Sequence, residues 1–424
     1  MTAKRPDVGA MCCALMLVVA PFDVAIPEDG YGPFFIRPLM ILIALLSLAA
    51  IIVHRDQLDP SLVRASALFV AALMGASAVS EDPDLGYAAT LRIGVAVLAF
   101  LATSVSVTEI RNARILFAGA MAMTFGASII GIAVLINDAD LLFTDSLVGM
   151  ISVSNGVARL TRPFSQANVA AMALAPVSVL LLVASGVETT RLRVWRGAMT
   201  IAGVLAAVAC ILTLSRGGAV ALVVALATSM VMSNTVILQR LRGEWNWLLP
   251  SAVALAAGTA WWWLPRWAAR VDGENSAGRQ SPTRIEIWRQ AIDAFRSEPL
   301  TGTGPGQFGR HSIDAVPAGV TPSPHAHNLV LEIMATAGLV GALSLAILAY
   351  LVARAAASGA GRTPHGLPFL MASVAAVVHA SVDYPLVFTS SGVVVAVVVG
   401  GSVGMAGASI SSPTLDMGRG TRAP

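Results

Sequence analysis

The chain has 424 residues, of which 56% are hydrophobic and only 12% charged, against about 25% charged in an ordinary soluble domain. With a mean hydropathy of +0.76, this composition excludes a water-soluble globular protein and marks a polytopic membrane protein. The net charge of +3 comes from scattered, mostly arginine, basic residues that form no stripe, which excludes a nucleic-acid surface. Cys12, Cys13 and Cys210 all fall in apolar stretches, so there is no disulfide framework and no CxxC pair.

Apolar windows of bilayer length predict about twelve transmembrane helices. Their expected limits are 8–22, 33–53, 62–80, 86–106, 113–136, 168–187, 195–214, 217–233, 247–264, 326–353, 367–382 and 391–410. The first run follows Lys4 and Arg5 but lacks a small-residue cleavage pattern, so it reads as a span and not as a signal peptide. The fold class expected is an all-α polytopic membrane protein, one integral membrane domain over 1–424.

Alternate loops carry Lys4/Arg5, Arg55/Arg64, Arg111/Arg114, Arg191/Arg193/Arg196, Arg240/Arg242, Arg354/Arg362 and Arg419/Arg422, fifteen of the 27 basic residues. The intervening short loops "PEDGYG", "SEDPDLGY" and "DYPLVFTSS" carry none. The positive-inside rule therefore places both termini in the cytoplasm. Two outer loops depart from this pattern: 137–167 holds Arg159 and Arg162, and the large loop 265–325 holds seven arginines. A loop of that length in a compact membrane protein is usually functional.

Four features converge on the outer side. In "RLTRPFSQANVAA", Arg162 and Asn168 stand just before the sixth span; a positive flank with a helix cap is the plainer reading. In "ILTLSRGGAVAL", Gly217 and Gly218 are expected to make a tight reversal that pins Arg216 at the membrane surface. In "SPTRIEIWRQAIDAFRSEP", Ser281 and Pro282 are expected to start an amphipathic interfacial helix. Its predicted apolar face is Ile285, Trp288, Ile292 and Phe295, with Arg284 on another face. In "LTGTGPGQFGRHS", the GxGxxG from Gly304 to Gly309 lacks the strand that a dinucleotide site needs. A glycine loop whose amides approach an anion remains open beside plain flexible backbone.

"SPHAHNLVLEIMATAGLVG" sets His325, His327 and Asn328 ahead of an apolar span, with Gly338 and Gly341 read as close-packing positions. His327 is a candidate general base near neutral pH. With only His311 and Asp314 nearby as further ligands, no metal site is expected. Arg37, Arg92 and Asp383 near span ends read as flanks or structural pairs.

Taken together, these residues resemble the O-antigen ligase and polysaccharide polymerase superfamily. The carrying features are His327-Asn328, nine residues, then Gly338-Leu-Val-Gly341; Arg216 in Ser-Arg-Gly-Gly; Arg284-x-x-x-Trp288; "PLTGTGPGQF"; and, more loosely, Arg162/Phe164/Asn168. Ala342 departs from the family's usual Thr or Val. The motif region is 159–341, and the span layout extends the likeness to the whole chain.

The resemblance implies a GT-C-like fold with short helices in the large periplasmic loop 265–325. It also implies metal-independent, inverting transfer of a glycan from an undecaprenyl-diphosphate carrier, with no cofactor. The acceptor is a glycan or lipid A-core, the setting is the bacterial inner membrane, and the site faces the periplasm. His327, Arg216 and Arg284 are then the expected catalytic residues, with Arg162, Asn168, Trp288, Asn328, His325 and Gly304 as substrate-binding neighbours. A multi-span transporter or flippase for a lipid-linked or anionic substrate is the alternative.

Overall fold

A computed structural model describes residues 7–22, 38–137, 152–154, 157–161, 163–164, 166–188, 193–232, 283–316, 322–360 and 365–407. Its helices are α1 (Val8–Val19), α2 (Pro38–Val53), α3 (Pro60–Ala78), α4 (Pro83–Ser106), α5 (Ile110–Asn137), α6 (Ala167–Val187), α7 (Arg193–Leu212) and α8 (Arg216–Met232). They continue with α9 (Arg284–Ser297), α10 (Phe308–Ala315), α11 (Leu329–Ala360), α12 (Gly366–Ala380) and α13 (Thr389–Gly407). By length and composition α3, α4, α5, α6, α7, α11 and α13 suffice to cross a membrane, and α1, α2, α8 and α12 are shorter apolar helices. These eleven coincide with eleven of the expected spans. The twelfth, 247–264, and the loop segment 265–282 lie outside the described residues.

One small departure from an all-α chain is an antiparallel ribbon, β1 (Ser152–Ser154) with β2 (Val157–Arg159), in which Ser152 faces Arg159. The intervening sequence is Asn-Gly, the dipeptide that suits a two-residue hairpin connection.

Helices α6 and α13 form the centre of the bundle, each about 83% buried across its most apolar window. Both are rich in Ala, Gly, Ser and Val. Between helices in lipid the hydrophobic effect supplies little driving force, so close van der Waals packing of small residues holds them. On α13, Gly400 and Gly404 form such a stripe; a Cβ on them would meet the carbonyls of Phe100 and Ser104 on α4 at 2.6 and 2.8 Å. Gly217 and Gly218 also serve packing. They lie inside the first turn of α8, against Val382 and His379 on one side and Ala171 and Cys210 on the other. The expected glycine reversal is therefore corrected: the turn's left-handed residue is Leu214, at φ 53°.

Helix α11 is broken. Gly338 has φ 61° and ψ −159°, and the chain resumes helix beyond it. A Cβ at Gly338 would overlap the Leu300 carbonyl. The groups freed by the break are taken by the strap 299–304. Leu339 N and Val340 N donate to the carbonyls of Pro299 and Leu300 at 2.8 and 3.4 Å. Thr303 N and Gly304 N donate to those of Ala335 and Thr336, both at 2.9 Å. Gly338 thus permits a chain crossing that any side chain would block.

Candidate functional site

The end of the bundle where α6, α8, α11 and α13 begin and α12 ends gathers the predicted polar residues. His327 sits at φ 52°, a left-handed backbone that histidine tolerates better than most residues. Its neighbours fix that conformation. Asn328 Oδ1 accepts the Leu331 amide at 3.0 Å and so caps α11, while its Nδ2 donates to the Ser381 carbonyl at 2.8 Å. Buried Glu332 accepts the Ala326 amide. Buried Ser323 donates from its hydroxyl to the His325 carbonyl at 2.7 Å and from its backbone N–H to Ser312 Oγ at 3.0 Å, and the Ser312 hydroxyl donates in turn to Gln290 Oε1 on α9 at 2.9 Å. The 322–328 segment is therefore held from α9, α10 and α12 at once.

Asp383 is the hub, and it was read from sequence only as a flank or structural pair. Its side chain is 4% exposed. Oδ1 lies 2.9 Å from His327 Nδ1 and 3.6 Å from His325 Nε2, and it accepts the Tyr384 amide at 2.9 Å. Oδ2 faces Arg284 Nη2 at 3.9 Å. Burial alone raises a carboxyl's pKa, but the neighbouring His325 imidazole and the Arg284 charge outweigh it and hold Asp383 below its ordinary value. The imidazoles of His325 and His327 lie with centroids 4.1 Å apart. His327 keeps 19% of its side chain exposed, so the cluster opens outward through that ring.

Arg284 opens α9, but the helix start differs from the expected one. Thr283 is the N-cap, in a capping box with Glu286, whose carboxylate accepts Thr283 N at 2.7 Å. Ser281 and Pro282 lie outside the described residues. The face of α9 turned to the protein is Ile287, Gln290, Ala291 and Ala294. Ile285 and Ile292 of the predicted apolar face are exposed instead, because the small Ala291 and Ala294 allow the closer approach to α11. Trp288 is half-buried, and its indole N–H is covered with no hydrogen-bond partner among the described residues.

Arg216 is exposed at the first position of α8. Gly217 beside it packs on Val382, the residue before Asp383, which brings the Ser-Arg-Gly-Gly stretch against the hub. Arg162 lies outside the described residues, and Arg159 is the arginine seen here. Buried, it donates from Nε to the Thr213 carbonyl at 2.8 Å and from Nη2 to Asn168 Oδ1 at 3.0 Å, tying β2 and α6 to the turn before Arg216. Gly304, at φ 104°, commits its amide to Thr336, so it belongs to the strap at the helix break and presents no open anion cradle. That strap is anchored further by Gln307, which donates to the Asp82 carbonyl at 2.9 Å, and by the Arg310–Asp82 ion pair at 2.6 Å.

Sequence alone does not single out Asp383, because its side-chain partners His327, His325 and Arg284 lie 56 or more residues away. The one available signal was an acidic residue in an otherwise apolar span end, costly unless paired. Among the described residues, a set that could hold a metal ion stands where the sequence leads to none being expected: His325, His327 and Asp383 offer ligand atoms all within 4.8 Å of one another.

Residues 201–346 match the family model described as O-antigen ligase. The matched region contains Arg216, Arg284, Trp288, the strap, His327 and Gly338, and over that part of the chain it supports a relation to the O-antigen ligase family. No curated protein matches the chain.

Proposed function

We propose that this membrane protein is an O-antigen ligase-related enzyme that transfers a glycan from an undecaprenyl-diphosphate carrier to an acceptor hydroxyl, at the periplasmic face of the bacterial inner membrane. The family match supports a ligase- or polymerase-type membrane glycan transferase. The observation that carries the finer reading is the hydrogen bond from His327 to buried Asp383, with Arg284 on the carboxylate's other oxygen.

Ionised Asp383 accepts Nδ1–H of His327, which leaves the Nε2 lone pair of that ring as the base. The acceptor oxygen attacks the anomeric carbon from the face opposite the diphosphate, and its proton passes to Nε2. The bond from the anomeric carbon to the phosphate oxygen breaks, and undecaprenyl diphosphate departs with the electron pair. A positioned base of this kind contributes about 10²–10⁴-fold. Arg216 and Arg284 balance the leaving diphosphate. Guanidinium carries permanent charge in a planar fork that fits phosphate oxygens, and loss of one such donor costs about 2.7–4 kcal/mol of barrier by analogy with oxyanion holes. Arg162 is a third candidate, Trp288 a stacking surface for a sugar, and Asn328 and Asn168 hold the elements that present them.

A broken helix such as α11 is also a feature of transporters, which keeps the transporter or flippase as the second reading. Here the groups freed at Gly338 are bonded to 299–304 and do not line a substrate path. Purified protein given lipid-linked glycan and acceptor decides between them: transfer supports the proposal, and translocation without transfer overturns it. Complementation with expression-matched His327→Ala, Arg216→Ala and Arg284→Ala assigns the residues, since full glycan output from any one removes it from the mechanism.

A further inference from the structure

The mechanism above uses one imidazole against Asp383, yet the structure sets two there. His325 is almost wholly buried, at 6% side-chain exposure, and no step of transfer needs it. It nonetheless directs Nε2 at the same carboxylate oxygen that His327 engages through Nδ1. We propose that His325, His327 and Asp383 form a binding site for a divalent transition metal of the zinc type, and that its occupancy silences transfer.

Zinc takes imidazole nitrogen and carboxylate oxygen at about 2.0–2.2 Å, which places tetrahedral ligand atoms roughly 3.3 Å apart. The two separations from Asp383 Oδ1, 2.9 and 3.6 Å, bracket that distance. All the ligand atoms fall within 4.8 Å, so small ring rotations close the set. The donor types, two imidazoles and one carboxylate, suit zinc, cobalt or nickel and disfavour magnesium or calcium. Three protein ligands leave the fourth position open toward the side where His327 is exposed. Arg284, on the far oxygen of Asp383 at 3.9 Å, stays off the shared oxygen but adds positive charge. That charge suits an exchangeable metal and not a structural one.

Metal at Nδ1 of His327 displaces the single ring proton of the neutral imidazole to Nε2, so the lone pair that accepts the acceptor's proton is lost. The metal site stands on geometry alone. Only this consequence for turnover rests on the function proposed above.

The test uses the full-length protein in detergent without a polyhistidine tag. Cobalt(II) titration is expected to give one ion per chain with the visible absorption of a four-coordinate site. His325→Gln and Asp383→Asn are expected to weaken binding about tenfold or more, since even outer-shell changes cost 10–100-fold, while His311→Gln leaves it unchanged. Wild-type protein without the bands, or His325→Gln with undiminished bands, overturns the site. If His325→Gln loses its melting transition, His325→Cys replaces it. That variant is expected to add a thiolate-to-cobalt charge-transfer band, and its absence equally overturns the site. In a separate arm, zinc is expected to stop glycan transfer and a chelator to restore it. Binding without inhibition leaves the metal site standing and overturns His327 as the base.

Discussion

The two ends of the helix bundle solve the same electrostatic problem in opposite ways. At one end Glu188, with no side-chain exposure, takes both arms of Arg114 at 2.6 and 2.9 Å, with His365 at 3.9 Å. At the other end Asp383, almost as buried, shares its two oxygens among His327, His325, the Tyr384 amide and Arg284. A bidentate pair satisfies its carboxylate with one partner and fixes geometry. A carboxylate divided among imidazoles keeps a titratable ring at the surface. The first arrangement locks α5 to the end of α6. The second fixes the orientation of the His327 ring, and His327 itself has left-handed backbone, as does Leu214 in the turn before Arg216. Strain of that kind collects at functional sites and is retained where surrounding contacts over-determine it.

Substitutions at the two ends are expected to separate chemistry from stability. His327→Ala should reduce transfer by about 10²–10⁴-fold with little change in melting temperature, read by in-vitro transfer beside thermal unfolding in detergent. A stability loss that matches the activity loss would blur the contrast. Arg284→Ala comes next, at about 10²–10³-fold in rate, with Arg284→Lys recovering only part of it because a point charge cannot replace the fork.

At the opposite end Arg114→Ala leaves the buried Glu188 charge without its main partner. It should cost about 3 kcal/mol of stability while the rate per folded molecule stays near wild type. Gly338→Ala belongs with the structural set. It forces a methyl group into the Leu300 carbonyl at positive φ; where a strain-free glycine replacement would stabilise, this one should destabilise by more than about 1 kcal/mol, read as a lower melting temperature and faster proteolysis of the strap.

The smallest effect expected is a pH dependence at His365. Burial lowers its pKa below the ordinary 6.5, despite the nearby Glu188 carboxylate. Between those two values the unfolded chain binds the proton and the folded chain does not, so stability falls as pH drops below about 6.5. His365→Gln should flatten that slope in melting curves taken from pH 7 to about 5. An unchanged slope assigns the acid sensitivity elsewhere.

Much of this protein is legible in its sequence because membrane spans and local caps are local properties. Runs of apolar residues near bilayer length specify helices without reference to partners, and eleven of the expected spans coincide with helices. Arg216 beside Gly217 and Gly218, Arg284 on the polar side of an amphipathic stretch, and His327 ahead of an apolar span are likewise visible in the sequence. Three features were not. Gly338 reads as a packing glycine until the strap from Pro299 to Gly304 is laid across it, because a backbone crossing leaves no periodic trace. The inward face of α9 depends on which of two apolar stripes meets α11, and small alanines won over the larger Ile285 and Ile292. Asp383 is ordinary as a sequence position and becomes the hub only when the end of α12 meets the start of α11.

By itself, then, the sequence determined the class, the helices and the residue types available for phosphate and proton chemistry, since these follow from composition and short-range spacing. Tertiary structure alone decided which histidine faces which carboxylate oxygen. Hydrogen bonds and ion pairs act over a few ångströms, and only folding carries Asp383 across 56 residues of chain to the 2.9 Å that gives His327 its orientation.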